Sequence, residues 1–250
     1  MNAELNNLLQ DIDQLKIKLD AARPLLNKSI LEAMDIEYTY DSNRIEGNTL
    51  TLRETDIIIN KGLTVGGKSM REHLEATNHY EAILFIKDLV QQKKEISESL
   101  IKNVHALILR GIDRENAGKY RSVPVAISGS RHVPPQPWQV AKLMEDMVLW
   151  IKNESSTIHP VVFAAEIHER IATIHPFIDG NGRTARLMMN LVLLQYGYTI
   201  TNIPGETEHR LAYYNALEKC NLHDDKTDFS ILMAGYVKTN LDNMVHKLGK

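Results

Sequence analysis

The stretch that decides this fold runs from residue 175 to residue 186 and reads HPFIDGNGRTAR. It begins with an imidazole, His175, that can accept a proton near neutral pH. A carboxylate, two glycines and two arginines follow, and then an apolar run from Leu187 to Tyr196. We predict a loop that leads into a helix N-terminus, where free backbone N–H groups and the helix dipole favour an anion such as phosphate.

The other side chains of this loop suit a magnesium-bound polyphosphate. Gly180 and Gly182 carry no Cβ, so the backbone can approach an anion closely. Arg183 and Arg186 lie three residues apart, share a helix face and can bind the same polyphosphate. Asp179 supplies the oxygen ligand that Mg²⁺ prefers when phosphates complete its shell. Each residue alone is common in surface turns, but a surface turn does not need all of them together.

The composition is that of an ordinary soluble globular protein. The 250 residues are 43% hydrophobic and 24% charged. The net charge of −3 argues against general binding to nucleic acid or to anionic membranes. No apolar stretch approaches a membrane span, and the first residues do not begin a secretory signal. The single cysteine, Cys220, cannot form an internal disulfide, so we expect a packing residue and a cytoplasmic protein.

Hydrophobic periodicity predicts a mainly α-helical chain. The prolines and alternating valines of residues 118–136 predict one small β-hairpin between helices. Whether the leucine-rich first helix packs internally or against a second copy in a homodimer stays open at this stage. The predicted helices cover residues 4–22, 25–39, 51–59, 69–91, 97–110, 138–152, 160–173, 183–197, 207–221 and 228–246.

The string HPFIDGNGRTAR resembles the signature of the Fic-domain family, HPF-x-[DE]-GNGR-x-x-R, at every fixed position. The resemblance implies the Fic fold, a helical bundle in residues 96–245 that holds the catalytic loop 175–186 between two central helices. It also implies that the predicted hairpin is a β-hairpin flap and that residues 1–95 form an N-terminal helical region.

The same resemblance implies a protein adenylyltransferase. Such an enzyme transfers AMP from ATP to a Ser, Thr or Tyr hydroxyl of a target protein, which can be the enzyme itself, and releases diphosphate. ATP and Mg²⁺ are the implied cofactors. The implied roles are His175 as general base, Asp179 on Mg²⁺, the backbone of Gly180, Asn181 and Gly182 with the Asn181 side chain as an anion cradle, Arg183 on the β-phosphate and Arg186 on the γ-phosphate.

A second motif lies before the catalytic region. Residues 42–47 read SNRIEG, which by itself suits a helix C-terminus closed by Gly47. The segment also resembles the inhibitory motif of the family, [ST]-x-x-x-E-[GN], through Ser42, Glu46 and Gly47. The resemblance implies that Glu46 pairs bidentately with Arg186 and turns the ATP α-phosphate away from in-line attack. Such a pair is worth about 1.5–3 kcal/mol, roughly a ten- to hundredfold restraint.

Two weaker resemblances concern the nucleoside and the target. Tyr213, Tyr214 and Asn221 resemble the nucleoside wall of these enzymes, since aromatic rings stack on adenine and an amide meets its polar edge. Tyrosines at helical spacing are, however, commonly core residues. The turn Gly129, Ser130, Arg131 and His132 resembles the tip of the flap, which aligns an extended target segment by main-chain pairing.

Several other residues invite functional interpretations that we do not favour. Residues 62–69 satisfy the Walker A pattern, but no buried strand precedes them, and we expect a helix connection. His73 and His79 lack the spacing of a zinc site and suggest a solvated helix face. His168 and Glu169 precede the motif on a helix and are expected to be structural.

Alternative functions remain for the same pocket. It can remove AMP from a modified protein, with Glu46 positioning a water molecule. The sequence does not exclude UTP as the donor, although Arg183 and Arg186 favour a triphosphate. A binding module gated by nucleotide, without turnover, belongs to a different functional class.

Overall fold

The computed structural model describes residues 2–223 and 225–248. Within them the chain forms ten α-helices and no β-strand, as the prediction of a mainly α fold requires. A short 3-10 turn, Arg23–Leu25, follows the first helix. The helices are α1 Ala3–Ala22, α2 Lys28–Ile45, α3 Leu52–Lys61, α4 Met70–Gln91, α5 Glu98–Ile108, α6 Pro137–Glu154, α7 Pro160–Ile174, α8 Asn181–Gln195, α9 Thr207–His223 and α10 Thr227–Leu248.

Helix α8 lies at the centre of the fold. All its residues from 183 to 193 are buried, as expected for a helix that is surrounded by others. Helix α7 packs along it, and α4 and α5 cover other sides. The loop between α7 and α8 is therefore held at both ends by buried helices.

The leucine-rich helix α1 packs against other helices of the same chain, and the homodimer stays a prediction. Its apolar positions recur at helical spacing and are buried, and its main neighbour is α10. Ile12, in the middle of this face, has no exposed surface. One core cluster accordingly extends from Leu5 to Leu248.

Helix α2 is longer than predicted. The sequence indicates an end near residue 39, but the helix continues to Ile45, with Glu46 at its C-cap and Gly47 at a φ of 96°. Thr39, Asp41 and Ser42 in its last turns are buried although they are polar. Apolar periodicity misses such residues because it marks burial only through hydrophobic side chains.

The Walker A-like residues 62–69 connect α3 and α4, as we expected. Gly62 closes α3 in the left-handed region, with a φ of 61°. Ser69 caps α4 in a reciprocal capping box with Glu72. His73 lies in the first turn of α4, where its Nε2 accepts a hydrogen bond from the N–H of Val65 at 2.9 Å.

The prediction of a β-hairpin in residues 118–136 is wrong about the strands. This segment is described throughout, yet it has no strand pairing, only a turn in which Ser130 N–H donates to the Ile127 carbonyl at 3.1 Å. Pro124, Pro134 and Pro135 remove donors that a ladder would need. Separately, no helix in the described part of the chain combines the length and apolarity needed to cross a membrane.

Candidate functional site

His175 ends helix α7 in a strained conformation. Its φ of 49° and ψ of 58° are left-handed, which is uncommon for a residue with a side chain. Arg121 holds it there from the segment 118–136: its Nε donates to the His175 carbonyl at 2.8 Å, and its N–H donates to Pro176 at 2.9 Å. Arg121 is buried, and no sequence motif marks it.

The imidazole of His175 is arranged as a base. Its Nδ1 lies 3.2 Å from the Ala172 carbonyl, which can only accept, so Nδ1 carries the proton and donates. Burial lowers the pKa of His175, an effect that this hydrogen bond partly opposes. The ring is therefore neutral near pH 7, and Nε2 keeps its lone pair.

The Asn181 side chain holds the loop in shape through hydrogen bonds to the main chain of Phe177. Its Oδ1 accepts from the N–H of Phe177 and its Nδ2 donates to the carbonyl of the same residue, both at 2.9 Å. Both polar ends of the amide are thus engaged, and Asn181 is buried. These two hydrogen bonds close the loop and leave a second Nδ2 hydrogen, so the role of this side chain in an anion cradle stays a prediction.

Gly180 and His105 support the loop next to the start of α8. Gly180 is the N-cap of α8 at a φ of 77°, and a Cβ there would lie 3.2 Å from a methyl carbon of Ile108. His105 accepts from the N–H of Gly118 through Nδ1 and donates from Nε2 to the carbonyl of Asp179, both at 2.9 Å. Burial lowers the pKa of His105 to about 4, so this bridge is made by a neutral ring. Sequence reasoning missed His105 because it lies on α5, far from the motif.

The carboxylate of Glu46 lies over the first turn of α8. A Cβ at Gly182 would overlap Glu46 Oε1 and would lie 3.1 Å from Arg186 Nη1. Only glycine leaves room for this approach. The position predicted for a phosphate is therefore next to a carboxylate of the chain itself.

Arg186 is fully buried and is hydrogen-bonded to residues of α2 and its C-cap. Its Nη2 donates to Glu46 Oε1 at 2.7 Å and to the Ser42 carbonyl at 2.9 Å, and its Nε donates to Ser42 Oγ at 3.0 Å. The predicted bidentate pair is thus wrong in detail. Arg186 Nε donates to Ser42, and Glu46 accepts through one oxygen only. Burial alone would lower the pKa of Arg186, but Glu46, Tyr213 and Tyr38 together outweigh burial, and the pKa is raised.

Of the three residues predicted for the nucleoside wall, Tyr213 and Tyr214 lie side by side, with ring centroids 5.4 Å apart, and Asn221 lies further along α9. Tyr213 is buried behind Arg186, from which its hydroxyl accepts a hydrogen bond at 3.4 Å, as the core interpretation predicts. Tyr214 is 42% exposed and its hydroxyl donates to the Ile45 carbonyl at 3.0 Å, so it contacts the end of α2. Asn221 accepts a hydrogen bond from Thr173, near the end of α7.

Asp179 presents a half-exposed carboxylate at the rim of the site. Burial would raise its pKa, but the charge of Arg183, the N–H of Gly180 and the charge of Arg71 outweigh it and hold the pKa below its usual value. Arg71 donates to Asp179 Oδ2 at 2.7 Å. No cluster of three or more metal-binding side chains occurs in residues 2–223 and 225–248. One ionised carboxylate suits a Mg²⁺ ion that shares phosphate ligands, and it does not suit an all-protein cage.

Arg183 is buried with unfilled hydrogen-bonding capacity. Its side chain is 3% exposed, and Nη1 lies 3.6 Å from Glu75 Oε1. Neither Nε nor Nη1 has a hydrogen-bond partner among the described residues. A buried guanidinium with free donors next to a helix N-terminus suits an added anion.

The turn predicted as the flap tip lies across α9 and the end of α7. Gly129 has a φ of 77°, and Ser130 Oγ accepts from the N–H of His132 at 3.1 Å. Arg131 donates its N–H to Glu218 on α9 at 2.7 Å. The Nε2 of His132 donates to the Thr173 carbonyl at 2.9 Å, which places the turn two residues from His175 in α7.

Comparisons with known proteins agree with this geometry. The Fic/DOC family profile matches residues 95–193. The chain is 38% identical over 220 residues to protein adenylyltransferase Fic of Drosophila persimilis, a match that covers 86% of this chain and 42% of that protein. The chain thus spans less than half the length of the curated relatives it matches.

Two solved structures are similar over nearly the whole chain. Fic-1 of C. elegans superposes with a TM-score of 0.87 at 30% identity, over 98% of this chain and 73% of that one. A Fic domain containing signaling protein from Bacteroides thetaiotaomicron superposes with a TM-score of 0.83 at 30% identity, over 95% of both chains.

Fold and site together define a class: helical proteins in which a short loop between two buried helices leads into the N-terminus of a central helix. The chain belongs to the Fic/DOC family.

Proposed function

We propose that this chain is a protein adenylyltransferase that transfers AMP from ATP to a Ser, Thr or Tyr hydroxyl of a target protein. The observation that carries the proposal is the start of α8, where buried Arg183 and Arg186 converge on a helix N-terminus beside the neutral His175. The name of the relatives at 38% identity supports the same activity.

The proposed reaction uses the site as follows. Nε2 of His175 takes the proton of the acceptor hydroxyl, whose oxygen attacks the α-phosphorus of ATP. The bond from that phosphorus to the oxygen bridging the α- and β-phosphates breaks, and diphosphate leaves. Backbone N–H groups at residues 180–182 stabilise the charge that develops on the α-phosphate. Arg183 binds the β-phosphate and Arg186 the γ-phosphate, so positioning supplies most of the catalysis.

Asp179 is the residue that would hold Mg²⁺. The ion, when bound, neutralises the charge of the phosphates and orients them. The residues found here fit that task, because the Asp179 carboxylate is ionised and accessible.

Glu46 is proposed to restrain this reaction. Its carboxylate occupies Arg186, the group that would otherwise bind the γ-phosphate. A hydrogen bond between charged groups is worth about 1.5–3 kcal/mol, which corresponds to roughly ten- to hundredfold. ATP can still enter, but its phosphates are not aligned for attack.

Partner binding is proposed at the turn from Gly129 to His132. This turn lies beside the end of α7 and so borders the space in front of His175. An extended target segment could pair there with the main chain.

One observation favours a second activity of the same site, the removal of AMP from a modified protein. The Glu46 side chain is 33% exposed and lies beside Gly182, where its free oxygen could position a water molecule. A labelling experiment distinguishes the proposed transferase from this alternative and from a nucleotide-gated module without turnover.

The test uses ATP labelled on either the α- or the γ-phosphate, with Mg²⁺ and cell lysate, in a Glu46→Gly background. We expect the added chain to increase covalent protein label from α-labelled ATP only, and this increase to fall by more than a hundredfold in His175→Ala. The control is His246→Ala, which changes an exposed histidine on α10 and should keep full transfer.

Label from γ-labelled ATP that exceeds the label in lysate without the added chain, or full transfer by His175→Ala, would contradict the proposal. ATP binding without label would support the module. Release of AMP from a previously modified protein, without net transfer, would support the removal activity.

A further inference from the structure

His168 is a buried imidazole on α7 that the proposed reaction does not use. It has no exposed surface, and its ring packs on Tyr213 and Phe229 with centroid distances of 5.5 and 5.2 Å. Burial, helped by the charge of Arg186, lowers the pKa of His168 to about 3. The ring is therefore neutral, and one of its nitrogens must be an acceptor.

The direction of its hydrogen bond follows from Arg186. A guanidinium can only donate, so the Tyr213 oxygen accepts from Arg186 Nη1. Tyr213 and His168 Nε2 are 2.9 Å apart. If Nε2 accepts, the tyrosine hydrogen is used, and Nδ1–H, which has no partner, is the single unsatisfied group.

The opposite direction leaves more groups unsatisfied. If Nε2 donated, both the hydroxyl hydrogen of Tyr213 and the Nδ1 lone pair of His168 would be buried without partners. Unpaired buried polar atoms destabilise the folded state, so the arrangement with fewer of them is preferred. The bonds therefore run from Arg186 to Tyr213 and from Tyr213 to His168.

This chain of bonds matters because of where the other partners of Arg186 lie. Ser42 and Glu46 both belong to α2 and its C-cap. Tyr213, on α9, is the hydrogen-bond partner of Arg186 that does not depend on α2 within the described residues. When Glu46 is replaced, Ser42 holds the guanidinium from α2 and Tyr213 holds it from α9.

We propose that His168 is a positioning residue for the terminal phosphate of the nucleotide. By accepting from Tyr213 it fixes the hydroxyl so that an oxygen lone pair faces Arg186, and the guanidinium stays aimed at the γ-phosphate. This inference rests on the proposed function and specifies how the site distinguishes a nucleoside triphosphate from a diphosphate.

The test measures the dissociation constants of ATP and ADP by calorimetry, with Mg²⁺, on the full chain in a Glu46→Gly background. His168→Leu should weaken ATP binding about five- to tenfold and leave ADP within twofold, because only ATP carries the phosphate that Arg186 binds. His168→Gln, whose Oε1 can accept the same hydrogen bond, should restore most ATP affinity. Tyr213→Phe should match His168→Leu, and the double variant should be no weaker than either.

The possible outcomes distinguish a failure of this inference from a failure of the proposed function. Equal losses for ATP and ADP, or no recovery in His168→Gln, would mean that His168 only supports packing. Absence of ATP binding by the parent Glu46→Gly chain would refute the proposed function and this inference together. The ¹⁵N NMR signals of His168 give a test without nucleotide or substitution: a proton on Nδ1 is expected, and a proton on Nε2 would overturn the inference.

Discussion

At the scale of single residues, each carboxylate at the start of α8 is paired with an arginine. Glu46 accepts from Arg186, and Asp179 accepts from Arg71. The groups proposed to bind the γ-phosphate and Mg²⁺ are thus both engaged by side chains from the first part of the chain. The two pairs differ in burial, since Arg186 is fully buried whereas Arg71 is 57% exposed.

The weaker of these pairs gives a prediction about metal binding. Arg71→Gln should tighten the binding of Mn²⁺ in the presence of ADP. The substitution removes the Arg71 guanidinium, which competes with the metal ion for the Asp179 carboxylate. The gain should reach at most about fivefold, since an ion pair between half-exposed groups is worth about 0.2–1 kcal/mol. Electron paramagnetic resonance of free Mn²⁺ measures it. Arg53→Gln, at an exposed position on α3, is the control, and unchanged affinity in Arg71→Gln would show that Arg71 does not compete.

Residues within the loop were predictable because its chemistry is local. His175, Asp179 and the glycines come from one stretch, so the sequence alone places them together. Arg121, His105 and His168 come from distant elements, and nothing in their sequence neighbours marks them. The hydrogen bonds by which the Asn181 amide closes the loop were not predicted, because the sequence does not tell whether a loop side chain faces a ligand or the backbone of the loop.

At the scale of elements, the position of α2 determines whether Glu46 reaches Arg186. Asp41 attaches this helix to the segment before α9: its Oδ1 accepts from the N–H of Gly205 at 2.8 Å, and its Oδ2 accepts from Asn202. Asn43 donates to the carbonyl of Glu75 on α4 at 3.3 Å. Polar contacts therefore hold the end of α2, which explains why apolar periodicity ended this helix too early.

Removing Asp41 should loosen the helix that carries Glu46. Asp41→Ala leaves a buried N–H of Gly205 without its acceptor, which costs about 1–3 kcal/mol. We expect faster hydrogen exchange in residues 28–45 and a higher rate of AMP transfer than in the unmodified chain. Thr51→Ala is the matched control, because it removes the cap of α3, worth about 1 kcal/mol, without changing a contact of α2. Equal exchange in both variants would argue against this role of Asp41.

At the scale of the whole molecule, the interior around the site contains neutral histidines. Burial lowers the pKa of His105 to about 4 and that of His168 to about 3, and it lowers the pKa of His79 well below its usual value. His79 has no exposed surface, so our expectation of a solvated face was wrong for it. Cys220 is a buried packing residue, as expected.

These histidines predict destabilisation by mild acid. The unfolded state binds their protons near pH 6.5, whereas in the folded state His105 does so only near pH 4 and His168 only near pH 3. Their contribution to stability is therefore complete above pH 6.5 and is lost as the pH falls towards the folded pKa. For His105 the loss between pH 7 and pH 5 is about 2 kcal/mol.

Urea unfolding of the parent and of His105→Gln at pH 7 and pH 5 measures the contribution of His105 to the free energy of unfolding. Other titrating groups contribute equally to both proteins, so the parent should lose about 2 kcal/mol more than the variant. Identical losses would show that folding does not lower the pKa of His105.

The order of helices was predictable because apolar periodicity marks the helices and residues such as Thr51 and Ser69 cap some of them. The internal packing of α1 on α10 was not, because an apolar face does not specify its partner. The absent strand pairing in residues 118–136 has a related cause. Its prolines and the contacts of Arg121 with the loop at His175 decide the conformation, and the second of these is a tertiary effect.

The most direct test of the account compares the rate of protein labelling from α-labelled ATP in the unmodified chain and in Glu46→Gly. Loss of the carboxylate frees Arg186, so we expect labelling to rise about ten- to hundredfold. Glu46→Gln, which keeps the size of the side chain but not its charge, should fall between them. Equal rates in all three proteins would contradict the claim that the contact between Glu46 and Arg186 controls this site.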